Sequence, residues 1–201
     1  MELKEYILKN ECLEIHVCNL GGIIKNLFVR DYKWKQTDVV LGFDNVEQYA
    51  APTYLNNYPY FGALIGRYGN RIKDASFEID GQTFSLAKND NGNCLHSGAA
   101  GFDKRVWNVE QPDDEHLILR LSDQDGTGGF PGKLDITVRY SIEQNVYRVI
   151  YEATSDKATH VNLTQHPYFN LNPDDENIGK HELRLYSKRY LETTPDLIPT
   201  G

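Results

Sequence analysis

Residues 133 to 143, "KLDITVRYSIE", decide the fold. Leu134, Ile136, Val138, Tyr140 and Ile142 alternate with Asp135, Thr137, Arg139 and Ser141, so every second side chain is apolar. A side-chain period of two is that of a β-strand, and strict alternation gives the strand one dry face and one wet face. The dry face needs a second apolar layer to cover it.

The same rhythm recurs at Leu13, Ile15 and Val17, at Phe77 and Ile79, at Phe84 and Leu86, at Leu117, Leu119 and Leu121, and at Leu183 and Leu185. Turn chemistry separates these segments. Asp80-Gly81 suits a tight hairpin, and Pro112-Asp113-Asp114 and Glu143-Gln144-Asn145 suit others. Short strands joined by turns predict an all-β chain, a sandwich or a barrel. Only "DNVEQYA", with Asp44 or Asn45 as N-cap, predicts one or two helical turns, so a βαβ arrangement is not expected. No repeat or linker interrupts the pattern, and residues 1–201 read as one domain.

Composition narrows the partners. The chain has 201 residues, 40% hydrophobic and 25% charged, the balance of an ordinary globular protein. Lys and Arg number 21 against 29 Asp and Glu, a net charge of −8. Nucleic acid and anionic membranes need a basic face and are not expected as partners, whereas a neutral or cationic small ligand fits. The three cysteines, Cys12, Cys18 and Cys94, lack CxxC spacing, and "MELKEYILKN" lacks the apolar core of a signal peptide. A reduced, cytoplasmic setting is expected. No apolar run approaches the roughly 18 residues of a membrane span.

Chemistry concentrates where the alternation breaks. Residues 52–72 and 92–103 read as loops, and loops on a rigid sheet commonly carry binding groups. "GRYGNRI" (66–72), "NCLHSG" (93–98) and "NLTQHPYFNL" (162–171) combine ionisable or amide side chains with apolar or aromatic ones. Any one of them alone reads more readily as a satisfied core histidine or a surface arginine. His166 has a side chain whose ordinary pKa, near 6.5, suits proton transfer at neutral pH, and Pro167 biases it toward extended backbone. Arg71 offers a planar set of donors for vicinal hydroxyls or a carboxylate, with Asn70 beside it. With His96 and an aromatic wall from Tyr58, Tyr60 or Tyr168, these groups describe a pocket for a polyhydroxylated ligand. Alternatively, Arg71 pairs with Asp74 or Glu78 at the surface.

Two other readings fail on spacing. "DGTGGFPGKLDITV" (125–138) is glycine-rich, but a strand follows it where a phosphate loop needs a helix, so it reads as a long hairpin connection. Cys94 and His96, two positions apart without a second pair, do not make a metal site.

The three stretches, together with "GFDKRVW" (101–107), "DGTGGFPGKLDITVRY" (125–140) and "LIPTG" (197–201), occur in an order that resembles the galactose mutarotase, or aldose 1-epimerase, family. "GRYGNRI" resembles that family's Gly-Arg-x-x-Asn-Arg-Ile, "NCLHSG" its Asn-x-Leu-His-Gly-Gly, and "NLTQHPYFNL" its Asn-Leu-Thr-Asn-His-Ser-Tyr-Phe-Asn-Leu. The resemblance implies a large antiparallel β-sandwich that interconverts the α and β anomers of free hexoses. It implies His166 as general acid, Asn70, Arg71 and His96 as sugar-binding residues, and Pro167 and Tyr168 in the binding segment beside the acid. No cofactor or metal is implied, because opening and reclosing a hemiacetal needs only proton transfers.

The sequence departs from the family pattern at Gln165 in place of Asn, Pro167 in place of a small hydroxyl residue, Gly69 where Ala is common, and Ser97 in place of Gly. The resemblance covers essentially this whole sequence but only the N-terminal part of longer members. The glutamate that serves as their base, and a substrate-binding aspartate, lie beyond "LIPTG". A sandwich shortened in this way is expected to expose strand edges and to self-associate. Two further readings stand beside the epimerase: a non-catalytic carbohydrate-binding module, and a hexose-6-phosphate epimerase with basic groups around the phosphate.

Overall fold

The computed structural model describes residues 2–172 and 177–201. Strands β1 (Glu5–Lys9), β2 (Leu13–Cys18), β3 (Ile23–Arg30) and β4 (Gln36–Asp38) form an antiparallel sheet in sequence order. Five short strands follow: β5 (Leu64–Ile65), β6 (Arg71–Ile72), β7 (Ser76–Ile79), β8 (Gln82–Ser85) and β9 (Cys94–Leu95). A second antiparallel sheet is built from β10 (Asn108–Asp113), β11 (His116–Asp123), β12 (Leu134–Glu143) and β13 (Val146–Ser155). The short strand β14 (Thr164–Gln165) then returns to pair with β5.

The dry faces of the two four-stranded sheets meet in one core. Ile15 and Val17 of β2, Ile24 and Leu27 of β3, and Leu117 and Leu119 of β11 pack in the same cluster as all five apolar residues of β12. Each fully buried aliphatic side chain contributes about 1.5–3 kcal/mol, so the alternation of β12 is a main source of cohesion between the layers. The layers are also tied by hydrogen bonds, from Lys9 N–H to the Asp114 carbonyl (2.7 Å) and from Gln111 Nε2 to the Ile7 carbonyl (2.6 Å). The fold is the expected antiparallel sandwich.

Turns largely follow the residue chemistry. Asp80 and Gly81 join β7 to β8 with φ of +51° and +77°, the left-handed pair that a two-residue hairpin demands. Gln144 and Asn145 join β12 to β13. Pro112 and Asp113 end β10 instead of turning; Asp114 and Glu115 make the turn, where the Asp113 carboxylate accepts from Glu115 N–H at 2.9 Å. The expected helical turns are a 3₁₀ segment, Val46–Ala50, entered at Asn45, whose N–H donates to Gln48 Oε1. The stretch read as loop from 52 to 72 also contains a one-turn helix, α1 (Pro52–Leu55), started by proline at its first position.

One strand expectation fails. Leu183 and Leu185 alternate with polar residues but sit in chain without a ladder partner, and both are largely exposed. Alternation makes a strand only where a neighbouring edge accepts its hydrogen bonds, and none of the described strands does so here.

The glycine-rich connection between β11 and β12 is the expected hairpin link, and it is stitched to the segment after β5 by a buried arginine. Arg67 pairs with Asp123 through Nη2 (2.8 Å) and Nε (3.1 Å), and its Nη1 donates to the carbonyls of Pro131 and Gly132. Asn162 clamps the same segment from the other side, donating from Nδ2 to the Gly69 carbonyl while its own carbonyl accepts from Gly69 N–H. These bonds hold residues 67–69 against Asn162 on one hand and the β11–β12 connection on the other.

Candidate active site

His166 lies one residue past β14, and the ladder with β5 continues through it: its N–H donates to the Ala63 carbonyl (2.9 Å) and its carbonyl accepts from Gly62 N–H (3.0 Å). Alternation then assigns neighbours to opposite sides. Gln165 points into the sandwich, where its Nε2 donates to the hydroxyls of Tyr140 (2.7 Å) and Tyr147 (3.2 Å). Tyr140 in turn donates to the Gly22 carbonyl at 3.0 Å. His166 faces the other way. Its ring centroid lies 5.4 Å from that of His96, 5.6 Å from Tyr60 and 5.2 Å from Tyr168.

His96 reaches the same place from β9. Past the short β6–β9 ladder, His96 N–H donates to the Asn70 carbonyl (3.0 Å) and Asn70 N–H donates to His96 Nδ1 (2.9 Å). A backbone N–H can only donate, so Nδ1 is the acceptor and the ring proton sits on Nε2. Burial pushes the His96 pKa down to about 4, with smaller contributions from His166, Arg71 and Lys104. At neutral pH His96 is therefore an uncharged donor through Nε2. Asn70 and His96 both adopt left-handed backbone, φ +66° and +52°, a strain that their mutual bonds hold in place.

Arg71 pairs with neither Asp74 nor Glu78. Its Nε donates to Asp90 Oδ2 at 2.6 Å and its Nη1 to Asn70 Oδ1 at 3.4 Å, and Nη2 has no partner among the described residues. The guanidinium is thus steered from one side and open on the other. Tyr60 packs 4.7 Å from His96, and burial pushes its hydroxyl up to about 12, so it stays protonated. Half-buried Pro167 leads into Tyr168, whose ring is exposed on one side and rests 5.3 Å from Phe61.

Residues from three distant stretches, His166 to Tyr168, Asn70 to Arg71 and His96, therefore converge on one open face beside an aromatic wall. A family model for aldose 1-epimerases matches residues 4–201. The chain belongs to the aldose 1-epimerase family. It is 38% identical over 200 residues to galactose mutarotase of Homo sapiens, an alignment covering 99% of this chain and 57% of that protein. It is 39% identical over 147 residues to aldose 1-epimerase of Escherichia coli (strain K12), covering 73% of this chain and 42% of that protein. The crystal structure of a GalM/aldose epimerase homologue from C. elegans superposes with a TM-score of 0.91 at 25% identity, covering 100% of this chain and 60% of the other. The matches cover between 42% and 60% of the length of these proteins.

Within this aldose 1-epimerase fold, sequence reasoning missed two charged neighbours of the site. Asp90 lies in the polar turn "KNDNGN", 19 residues from the arginine it orients, and nothing local marks it. Lys104 lies in "GFDKRVW", quoted for its order in the chain and not for any contact. Its ammonium sits 4.6 Å from the centroid of the Tyr58 ring and 5.2 Å from that of Tyr60. Among the described residues, no group of three or more His, Cys, Asp or Glu side chains is arranged to hold a metal ion.

Proposed function

We propose that this face is the sugar site of an aldose 1-epimerase acting on free hexoses such as galactose and glucose. The carrying observation is the pair of imidazoles 5.4 Å apart, one of them locked as a neutral Nε2 donor and the other without a side-chain hydrogen bond among the described residues. His166 protonates the ring oxygen of the hemiacetal, while Asn70, Arg71 and His96 hold the hydroxyls. The open aldehyde rotates about C1–C2 and recloses on its other face. Tyr168 and Pro167 border the apolar side of the sugar.

The carboxylates that act electrostatically on His96 and Tyr60 are Asp90 and Asp103, and each is ion-paired, to Arg71 and Lys104. Neither is assigned as acceptor of the C1 hydroxyl proton. This reading leaves that proton to a carboxylate outside this face. The same observation favours a second reading, in which these 201 residues bind sugar without turning it over.

Polarimetry or NMR of freshly dissolved α-galactose and α-glucose tests the assignment. A matched acid contributes on the order of 10²–10⁴ in rate, and His166→Ala should lose a factor in that range. Equal rates for the two proteins would refute His166 as the acid. Sugar binding without faster mutarotation selects the binding module, and preferential competition by glucose 6-phosphate selects the phosphorylated substrate. The free cysteines fit a reducing, cytoplasmic location, and no helix among the described residues is long and apolar enough to cross a membrane. Self-association through the open edge of β13 completes the proposal.

A further inference from the structure

Beneath the aromatic wall lies a charged pair that the proposed chemistry does not use. Asp103 is fully buried, and its Oδ2 accepts from Lys104 Nζ at 2.5 Å. The other oxygen, Oδ1, is buried with no hydrogen-bond partner, packed where a side chain on Gly101 would clash at 2.2 Å. Burying a carboxylate with half of its acceptor capacity unmet is costly, so its single partner has to be held firmly.

Lys104 is held on four sides. Besides Asp103, its Nζ donates to the Gly98 carbonyl at 3.2 Å and lies over both the Tyr58 and the Tyr60 rings. Tyr58 is itself fixed from below, since its hydroxyl donates to the Asp103 carbonyl at 3.3 Å, and its ring sits 4.7 Å from Tyr60. Tyr60 then meets His96 edge-on, at 74°, and His166 at 40°. A cation over a ring face favours one placement of that ring, and this ring is the common neighbour of both imidazoles.

We propose that Lys104, anchored by Asp103, is a positioning residue that fixes Tyr60 and, through it, the mutual geometry of His96 and His166. This rests on the reading of the two histidines as the sugar-facing groups. It assigns Lys104 no contact with sugar. A lysine that served only the fold would stabilise the 98–105 turn, act on His96 by its charge alone, and leave the Tyr60 ring and the packing of both imidazoles as they are.

NMR of the intact chain separates the two without any sugar or turnover, so it remains decisive if the epimerase reading fails. The imidazole Cε1–H resonances of His96 and His166 and the Tyr60 ring resonances are compared in wild type, Lys104→Met and Lys104→Arg. Methionine keeps the length of the side chain and removes the charge; arginine keeps a cation over the rings. The expected result is displacement of both histidine signals and of Tyr60 in Lys104→Met, with the amide pattern of the two large sheets retained, and return toward wild type in Lys104→Arg. Histidine signals unmoved in Lys104→Met would overturn the proposal. Loss of the sheet pattern in Lys104→Met would also overturn it, because the role would then be that of the fold, and so would failure of Lys104→Arg to restore the signals.

Discussion

His96 carries the sharpest consequence at the level of a single residue. Its ring is neutral because burial and the nearby cationic groups oppose protonation, which takes its pKa from the usual 6.5 to about 4. Between those values the unfolded chain binds a proton that the folded chain refuses, so the stability due to His96 is complete above pH 6.5 and declines as the pH falls toward 4. A histidine-resolved NMR titration should place its midpoint near 4, and chemical denaturation should show stability decreasing over that window in wild type but less in His96→Gln. A midpoint at 6.5 would contradict the locked Nδ1 acceptor. Glu14 does not mimic this effect: paired with Lys9 and His16, it is lowered from 4.5 to about 2, so its loss comes at more acid pH. None of this was legible in "NCLHSG", because the bond that sets the tautomer comes from Asn70, 26 residues away in sequence.

At the level of the element, Arg67 decides whether the site segments stay docked. It is 1% exposed and bridges the segment after β5 to Asp123 of β11 and to two carbonyls of the loop before β12. Removing one partner of a buried pair leaves an uncompensated charge and typically costs about 3–5 kcal/mol. Arg105 also reaches Asp123, at 3.2 Å, so Arg67→Met should fall near the lower end, about 3 kcal/mol, in equilibrium urea denaturation. A change under about 0.5 kcal/mol, the range of an ordinary surface substitution, would show that the stitch is dispensable. The elements themselves were unequally readable. Strands β2, β11 and β12 bury one face and advertise it by alternation. Strand β3, "IIKNLFVR", is buried on both phases over its first residues, and β13, "VYRVIYEATS", carries apolar residues on both phases, so neither shows a clean period of two. The two-residue strands β5, β6, β9 and β14 are too short for any period, yet they hold the site, which is why its residues were found by motif and not by pattern.

At the level of the whole molecule, the two faces of β13 and its free side differ from the rest of the sandwich. Strand β13 pairs only with β12 among the described strands, so half of its backbone groups line an open edge, and Val146 and Ile150 project apolar surface beside it. Residues 183–191 add Leu183, Leu185, Tyr186, Tyr190 and Leu191, all largely exposed. Unpaired edges and contiguous apolar patches drive strand-to-strand association, and a net charge of −8 opposes it through mutual repulsion. The two contributions respond oppositely to salt. Repulsion between exposed charges is screened within about 8–10 Å at 0.1–0.15 M ionic strength, whereas apolar burial is not weakened by screening. Light scattering coupled to size-exclusion chromatography should therefore show a mass that rises with protein concentration and rises further with sodium chloride. Ile150→Lys places a charge beside the open edge, the device natural sheets use against such pairing, and should shift the population toward the monomer. A wild-type chain that stays monomeric across concentration and salt would rule out the β13 edge as an association surface. A salt-induced decrease in mass would mean that ion pairs, not the apolar edge, hold the copies together.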